Sequence, residues 1–336
     1  MQGGGYSLFN KGLKCYKFCN MFDKVTIWKD GRVREEYPHL VTLLSNAKEQ
    51  TDLGTGEITT YGTLQGMRVW IYPTAIRIEG SLPKFLYEGG NVIPLNRHTT
   101  EEAIKKLSDA LQINLEDARV SSLEFGGNFL MKHKPSEYLK RLGEMPRRQR
   151  YTFNVDSIYY RHKGKEQPDT FCLYDKISDA KAKGMPIPAG FEDTNILRVE
   201  LRLNGSLAKQ MEVAEVTASS LYDRQFYAKI RNRFINTYFS ISKLNKLNAN
   251  FMESIKTPKD AVDGFLGLML AKSEKGVQEI DSYLEELKAN QVFADRVNYK
   301  RTMDALYKAA SKAKLSSKNE LVAELDDCFL NLKANG

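Results

Sequence analysis

The chain has 336 residues, 42% of them hydrophobic and 27% charged, with a formal net charge of +8. That length suffices for a substantial core and two domains, and no apolar run reaches the roughly 20 residues a membrane-spanning helix needs. The four cysteines, Cys15, Cys19, Cys172 and Cys328, fit neither a disulfide framework nor a zinc knuckle, so a reducing, intracellular compartment is expected.

Residues 1–20, with Gly3, Gly4, Gly5, Lys11, Lys14 and Lys17, lack the apolar centre of a secretory signal and read as a flexible basic leader. Alternation starts at Met21–Trp28, the expected beginning of the fold, and the pattern stays β-rich to about Leu82. Met67, Val69 and Ile71 face one way, and Ile76 and Ile78 resume after Pro73. Gly54 and Gly56 mark a turn. The bend at Gly80–Phe85 and Gly89-Gly90-Asn91 is glycine-rich but lacks the spacing of a phosphate-cradling loop.

Thr99-Thr100-Glu101-Glu102 predicts a helix start, with Thr99 and Glu102 as a capping box and Ala103, Leu107 and Leu111 as the apolar stripe. Val120–Phe125 predicts a strand with Leu123 and Phe125 on one face, Ser122 and Glu124 on the other. A short helix is expected over Ser136–Leu142, stopped by Gly143. Tyr151–Tyr160 and Thr170–Lys176 read as two more strands. Ile196–Leu203 alternates without a break, with Leu197, Val199, Leu201 and Leu203 on one face and Arg198, Glu200 and Arg202 on the other.

After Val216 the pattern becomes helical. Tyr222, Phe226, Ile230, Phe234 and Tyr238 recur every four residues, and Val277, Ile280, Leu284 and Leu287 form a second stripe after a break at Lys275-Gly276. The expected fold class is α+β, an antiparallel-rich sheet with helices on one face, followed by an all-helical C-terminal domain. The expected boundaries are a leader at 1–20, a sheet domain at 21–245 and a helical domain at 246–336.

Charge is concentrated. Between Lys132 and Lys165 ten basic residues face three acidic ones, Glu137, Glu144 and Asp156. Such a stretch makes a local positive field suited to a polyanion, and Lys132, Lys134, Arg147, Arg148, Arg150, Arg161 and Lys163 are the candidate DNA contacts, with Arg202. A solvated basic face is the competing account.

The polar strand positions suggest phosphoryl transfer to tyrosine. Glu124 and Glu200 are candidate ligands of one Mg²⁺ or Mn²⁺, which take oxygen donors and bind through one or two acids plus phosphate. Tyr159 and Tyr160 are candidate nucleophiles, and such a phenol needs activation by the metal or by a cation such as Lys176. Arg198 and Arg202 are placed to stabilise charge developing on phosphate. A charged ladder on a surface strand competes as an account of Arg198-Val199-Glu200-Leu201-Arg202, and β-propensity competes for the tyrosine pair. His39, His98, His133 and His162 form no metal-binding pair, and no nucleotide-loop or serine-hydrolase motif is present.

Several segments occur in a telling order: Gly80–Phe85, Glu101–Leu107, Leu123–Phe129, Tyr138-Leu139, Leu142-Gly143, Ile158-Tyr159-Tyr160, Phe171–Lys176, Asn195–Arg202 and Leu221-Tyr222-Asp223 with Phe226-Tyr227. In these the chain, from about Met21 to Asn245, resembles the filamentous-phage gene II / gene X family of phage and plasmid replication initiators. The resemblance implies rolling-circle initiation: one strand is nicked at an origin, the protein stays joined to the 5′ phosphate through tyrosine, and the free 3′ hydroxyl primes synthesis. It maps the nucleophile first to Tyr159 and second to Tyr160, and the strand acid to Glu200. Glu124 stands where the family has Asp, and Ser122 where it has Arg two residues earlier. Origin DNA, single-stranded or as a hairpin, and the host replication machinery are the implied partners, in the cytoplasm of a bacterial host, with a homodimer allowed. A non-catalytic DNA-binding regulator of the gene X type is the alternative.

Overall fold

Antiparallel pairing of the alternating segments builds one sheet in a computed structural model of the chain, which describes residues 21–88, 91, 95–164, 166–243, 246–247, 256–272, 277–312, 316–317 and 320–334. The leader 1–20 with Cys15 and Cys19, Gly89-Gly90, Lys165 and the break at Lys275-Gly276 lie outside the described residues. The ten strands are β1 (Met21–Asp30), β2 (Ser45–Thr51), β3 (Ile58–Leu64), β4 (Met67–Ile71), β5 (Ala75–Ser81), β6 (Arg119–Leu130), β7 (Gln149–Asn154), β8 (Ser157–Arg161), β9 (Asp169–Asp175) and β10 (Ile196–Leu203). They lie in the order β2-β3-β4-β5-β1-β6-β10-β9-β8-β7, and each neighbouring pair is antiparallel.

Helices α1 (Val33–Glu36), α2 (Leu40–Leu43), α3 (Leu82–Tyr87), α4 (Arg97–Leu111), α5 (Pro135–Leu139), α6 (Lys176–Ala182), α7 (Leu207–Met211) and α8 (Arg224–Phe239) complete the α+β architecture that the sequence predicts. The starts of α3, α4, α6 and α8 are set by side chains that satisfy free backbone N–H groups. Asp223 accepts from Gln225 and Phe226 at 2.9 and 2.8 Å, which is why Tyr222 falls in the preceding turn and not in α8. For α4 the capping box is Asn96 with Thr99, at 2.9 and 2.8 Å, and not the expected Thr99 with Glu102. Tyr151–Tyr160 is a hairpin, not one strand. The chain reverses after β7, where Asn154 Oδ1 accepts from Asp156 N at 3.0 Å and from Ser157 Oγ at 2.9 Å.

The chain divides into two units, Met1–Ser242 with Glu324–Gly336, and Lys243–Ala323. The second unit holds α9 (Pro258–Lys272), α10 (Val277–Ala289), α11 (Arg296–Lys312) and the strand pair β11 (Lys246–Leu247) and β12 (Ser316–Ser317). Glu324–Gly336, at the end of the stretch expected as a helical domain, groups with the first unit, and most of α12 (Glu320–Ala334) lies there. Phe329 stacks on Tyr238 at 3.7 Å, and Asp326 accepts from the Tyr238 hydroxyl at 2.6 Å.

One face of the sheet carries the aromatic core. Phe125 packs on Phe22 at 5.2 Å and on Phe234 of α8 at 5.7 Å, and Phe171 on Phe234 at 5.8 Å. The other face is covered near the start of β10, where Ile177 of α6 packs with Ile196 and with Leu130, Ile187 and Phe191. By alternation Ile196 shares its side with Arg198 and Glu200. The charged side of β10 is therefore not a solvated ladder: Arg198 is 0% and Glu200 2% exposed.

Gly126 lies opposite Glu200, and a Cβ there would sit 2.3 Å from the Val199 carbonyl oxygen. Gly126→Ala should cost about 1–3 kcal/mol by forcing β6 and β10 apart. Urea unfolding checks this, and an unchanged midpoint would show that the ladder absorbs the methyl group.

Candidate active site

The register of four strands brings the charged side chains together. Arg202 is opposite Glu124 on β6 and Thr170 on β9, and Arg198 is opposite Asn128 and Tyr174. Glu200 is opposite Gly126 and Cys172, and Cys172 is opposite Tyr159 on β8. Directly paired residues point to one side of a sheet. Glu124, Asn128, Arg198, Glu200, Arg202, Cys172, Tyr174 and Tyr159 therefore share a face.

A residue not singled out from the sequence completes the group. Asp23 on β1 is 3% exposed, and its carboxylate, with those of Glu124 and Glu200, contributes oxygens all within 4.8 Å of one another. Simple alternation would place Asp23 on the side of Val25 and Ile27, in the core. The ladder shifts register between Phe22 and Val25, and this irregularity turns Asp23 to the charged side.

Arg198 ties the group together. Its Nη2 donates to Asp23 Oδ2 at 2.8 Å, its Nε to Glu200 Oε1 at 2.8 Å and its Nη1 to Asn128 Oδ1 at 3.1 Å. Arg202 donates to Glu200 Oε2 from Nη2 at 2.6 Å and from Nε at 3.1 Å. The Tyr174 hydroxyl donates to Glu200 Oε1 at 2.8 Å. Glu124 is held more loosely, 3.5 Å from Arg202 Nε. Asp23 also accepts from Ser81 Oγ, and from Asn91 Nδ2 at 2.6 Å.

These contacts set the charges. Burial alone would raise Glu200, but Arg198 and Arg202 outweigh it and hold the carboxyl far below its ordinary range. Burial and the neighbouring Glu200 push Glu124 up to about 7 against the pull of Arg202. Burial and Arg198 bring Lys176 down to about 8. Burial raises Tyr159 above the ordinary tyrosine value, with Arg202 opposing.

The Tyr174-Asp175-Lys176 segment divides its work. Asp175 caps α6, accepting from Ile177 N and Ser178 N at 2.9 Å, and Lys176 in the first turn donates from Nζ to Asn91 Oδ1 at 2.7 Å. Lys176 thus reaches the Asp23 end of the network. Tyr159 lies by the Arg202 end, with the guanidiniums of Arg161 and Arg202 at 5.1 and 5.9 Å from its ring. Tyr160, the next residue, points to the opposite face, is 0% exposed and donates its hydroxyl to the Gly143 carbonyl at 2.8 Å.

The basic stretch separates as well. Lys132, Lys134, Arg147 and Lys163 are exposed, whereas Arg148 donates to Asp169 at 2.8 Å in a cluster with Arg233 and His162. Arg150 donates to Thr152 Oγ1 at 2.9 Å, and Arg161 lies over Phe153 as well as Tyr159.

Three converging carboxylates offer the hard oxygen donors that Mg²⁺ or Mn²⁺ takes, and crowding of Glu124 against Glu200 is what such a cation relieves. Asp23, Glu124 and Glu200 fit a divalent cation on that ground.

Arg198→Met should destabilise the fold by about 3–5 kcal/mol, because it strips the charge partner from the buried Asp23 carboxylate and leaves Glu200 with Arg202 alone. Denaturant unfolding measures the loss, and a change below about 1 kcal/mol would mean that Asp23 and Glu200 find other partners.

No curated protein matches the chain. The family model that describes the N-terminal part of the replication-associated gene II protein of phages matches residues 65–222. That segment, which contains Glu124, Tyr159, Lys176, Arg198, Glu200 and Arg202, belongs to the filamentous-phage gene II-like family of replication-associated proteins.

Proposed function

We propose that the protein initiates replication by nicking one strand of origin DNA, with Tyr159 as nucleophile and with Asp23, Glu124 and Glu200 holding one Mg²⁺ or Mn²⁺. The observation that carries this reading is the shared face: of the two adjacent tyrosines, Tyr159 lies in the row that runs through Cys172 to Glu200. A bound cation supplies Lewis-acid polarisation of a phosphodiester oxygen.

The side chains do the rest. Arg161 and Arg202 flank the Tyr159 ring and attract the phosphate to it. The Tyr159 oxygen forms a bond to phosphorus as the bond to the 3′ oxygen breaks. The phenolic proton passes to solvent and the departing 3′ oxygen takes one up from solvent, which leaves a 5′-phosphotyrosine and a 3′ hydroxyl. Arg202, bonded to Glu200, is oriented to meet charge that builds on the phosphate oxygens. Asn91 bridges Lys176 to Asp23 and so fixes that carboxylate.

The alternative of a DNA-binding regulator without cleavage is favoured by one observation. Glu200 is already bonded to Arg198, Arg202 and Tyr174, as in a purely structural ion-pair network. Tyr159→Phe should abolish nicking of a supercoiled origin plasmid and the covalent adduct while DNA binding persists. Tyr160→Phe should keep the adduct at a stability cost of about 1 kcal/mol for the lost hydrogen bond. Wild-type protein that binds the origin with Mn²⁺ yet never nicks it would favour the regulator.

Metal binding has its own measurement. Mn²⁺ titrated into the full chain and followed by its electron paramagnetic resonance should show one bound ion per chain. Asp23→Asn or Glu124→Gln should weaken it about tenfold or more. Equal binding by wild type and both variants would place any ion elsewhere.

A further inference from the structure

On the other half of the sheet, a second row of paired residues crosses five strands. Tyr61 on β3 is opposite Trp70 on β4, Trp70 is opposite Arg77 on β5, Arg77 is opposite Trp28 on β1, and Trp28 is opposite Arg119 on β6. All five side chains are at least partly exposed. The Arg77 guanidinium lies 4.5 Å from the Trp70 ring centre and 5.8 Å from that of Trp28. Arg68 lies 5.4 Å from Trp70, Arg119 lies 5.9 Å from Trp28, and Tyr72 stacks on Trp28 at 5.6 Å. From Trp70 onward rings and guanidiniums alternate along the row.

The charge is unbalanced toward cations. The single buried carboxylate of Glu79 receives Lys24, Arg68 and Arg77, at 2.6, 2.5 and 2.6 Å. Three positive groups around one negative group, with the exposed Arg119 beside Trp28, leave a local surplus of positive charge that attracts an anionic partner. Interleaved rings and cations suit a chain that offers bases for stacking and phosphates for pairing, which is the chemistry of a single strand.

The row is continuous with the carboxylate site. The next row along the sheet is Arg68, Glu79, Thr26 and Ser122, and Ser122 donates to Thr26 Oγ1 at 2.8 Å. Glu124 follows Ser122 by two residues on the same side of β6. At roughly 3.4 Å per strand residue, the platform lies on the order of 15 Å from Glu124, a span of a few nucleotides.

We infer that Tyr61, Trp70, Arg77, Trp28 and Arg119 form a platform that binds single-stranded DNA and leads it to the carboxylate site. The inference rests on the reading of the protein as one that acts on DNA, but not on its nicking chemistry. The platform accepts any sequence, because every base has a face that stacks.

The protein carries its own probe, since Trp28 and Trp70 are the two tryptophans of the sequence. Full-length protein without divalent cation is titrated with a fluorescein-labelled 12-nucleotide thymidine oligomer, following both tryptophan emission and fluorescein anisotropy. Emission should fall in parallel with binding. Trp70→Ala should weaken binding about tenfold, Trp70→Phe should retain most of the affinity, and Arg119→Ala should shallow the salt slope by about 0.7. A duplex of the same length should quench less. Binding with no change in emission and equal affinity in Trp70→Ala and Arg119→Ala would overturn the inference, as would equal quenching by the duplex. Tyr159→Phe should bind and quench as wild type does. Adduct formation without quenching would remove the platform and leave the nicking reading intact; quenching without an adduct would do the reverse.

Discussion

The guanidinium of Arg198 is the centre on which this molecule depends. It is fully buried and bridges Asp23 on β1 and Glu200 on its own strand, with Asn128 on β6 as a third partner. Two carboxylates and one guanidinium withdrawn from water cost several kcal/mol each unless every charge is met. Here each is met, and the same bonds hold β1, β6 and β10 in one register. An apolar core at these positions would stabilise the sheet as well. Its replacement by charge is hard to account for unless the charge does something, and convergence of three acids gives the reason.

Glu124 and Glu200 illustrate how environment divides like groups. Both are glutamates, and they lie diagonally across the β6–β10 pair, Glu124 opposite Arg202 and Glu200 opposite Gly126. Glu200 sits between two guanidiniums and stays ionised far below the usual range, whereas Glu124, 3.5 Å from Arg202, is pushed toward neutrality by burial and by Glu200. A cation between them would reverse that rise. The proposed metal site thus follows from an excess of negative charge that Arg198 and Arg202 offset only in part.

Much of this was legible in the sequence, because strand alternation is a strict rule. It placed Arg198, Glu200 and Arg202 on one side of β10 and Glu124 on the corresponding side of β6, and the structure brings these together. It also separates Tyr159 from Tyr160, since neighbours on a strand face opposite ways. Asp23 was not legible, because a register shift in β1 carries it off the side its spacing assigns. Burial of the charged side was also hidden: α6 covers it through Ile177 and Ile196, a contact between segments that alternation within one strand does not report. The Arg148–Asp169 pair was invisible for the same reason, so a run of basic residues in sequence became part surface and part buried cluster. Trp28 and Trp70 are far apart in the chain and meet only through β5, which lies between β4 and β1 in the sheet.

One measurement reads directly which atom takes the phosphate. An origin oligonucleotide that releases its 5′ fragment, the piece ending in the new 3′ hydroxyl, traps the covalent complex, and tryptic digestion cuts the chain after Arg150 and Arg161. The resulting peptide spans 151–161 and contains Tyr151, Tyr159 and Tyr160, so fragment-ion mass spectrometry can place the nucleotide on one of them. With Tyr159 as nucleophile, the added mass falls on Tyr159. A nucleotide on Tyr160, on Tyr151 or on any residue outside this peptide would contradict it.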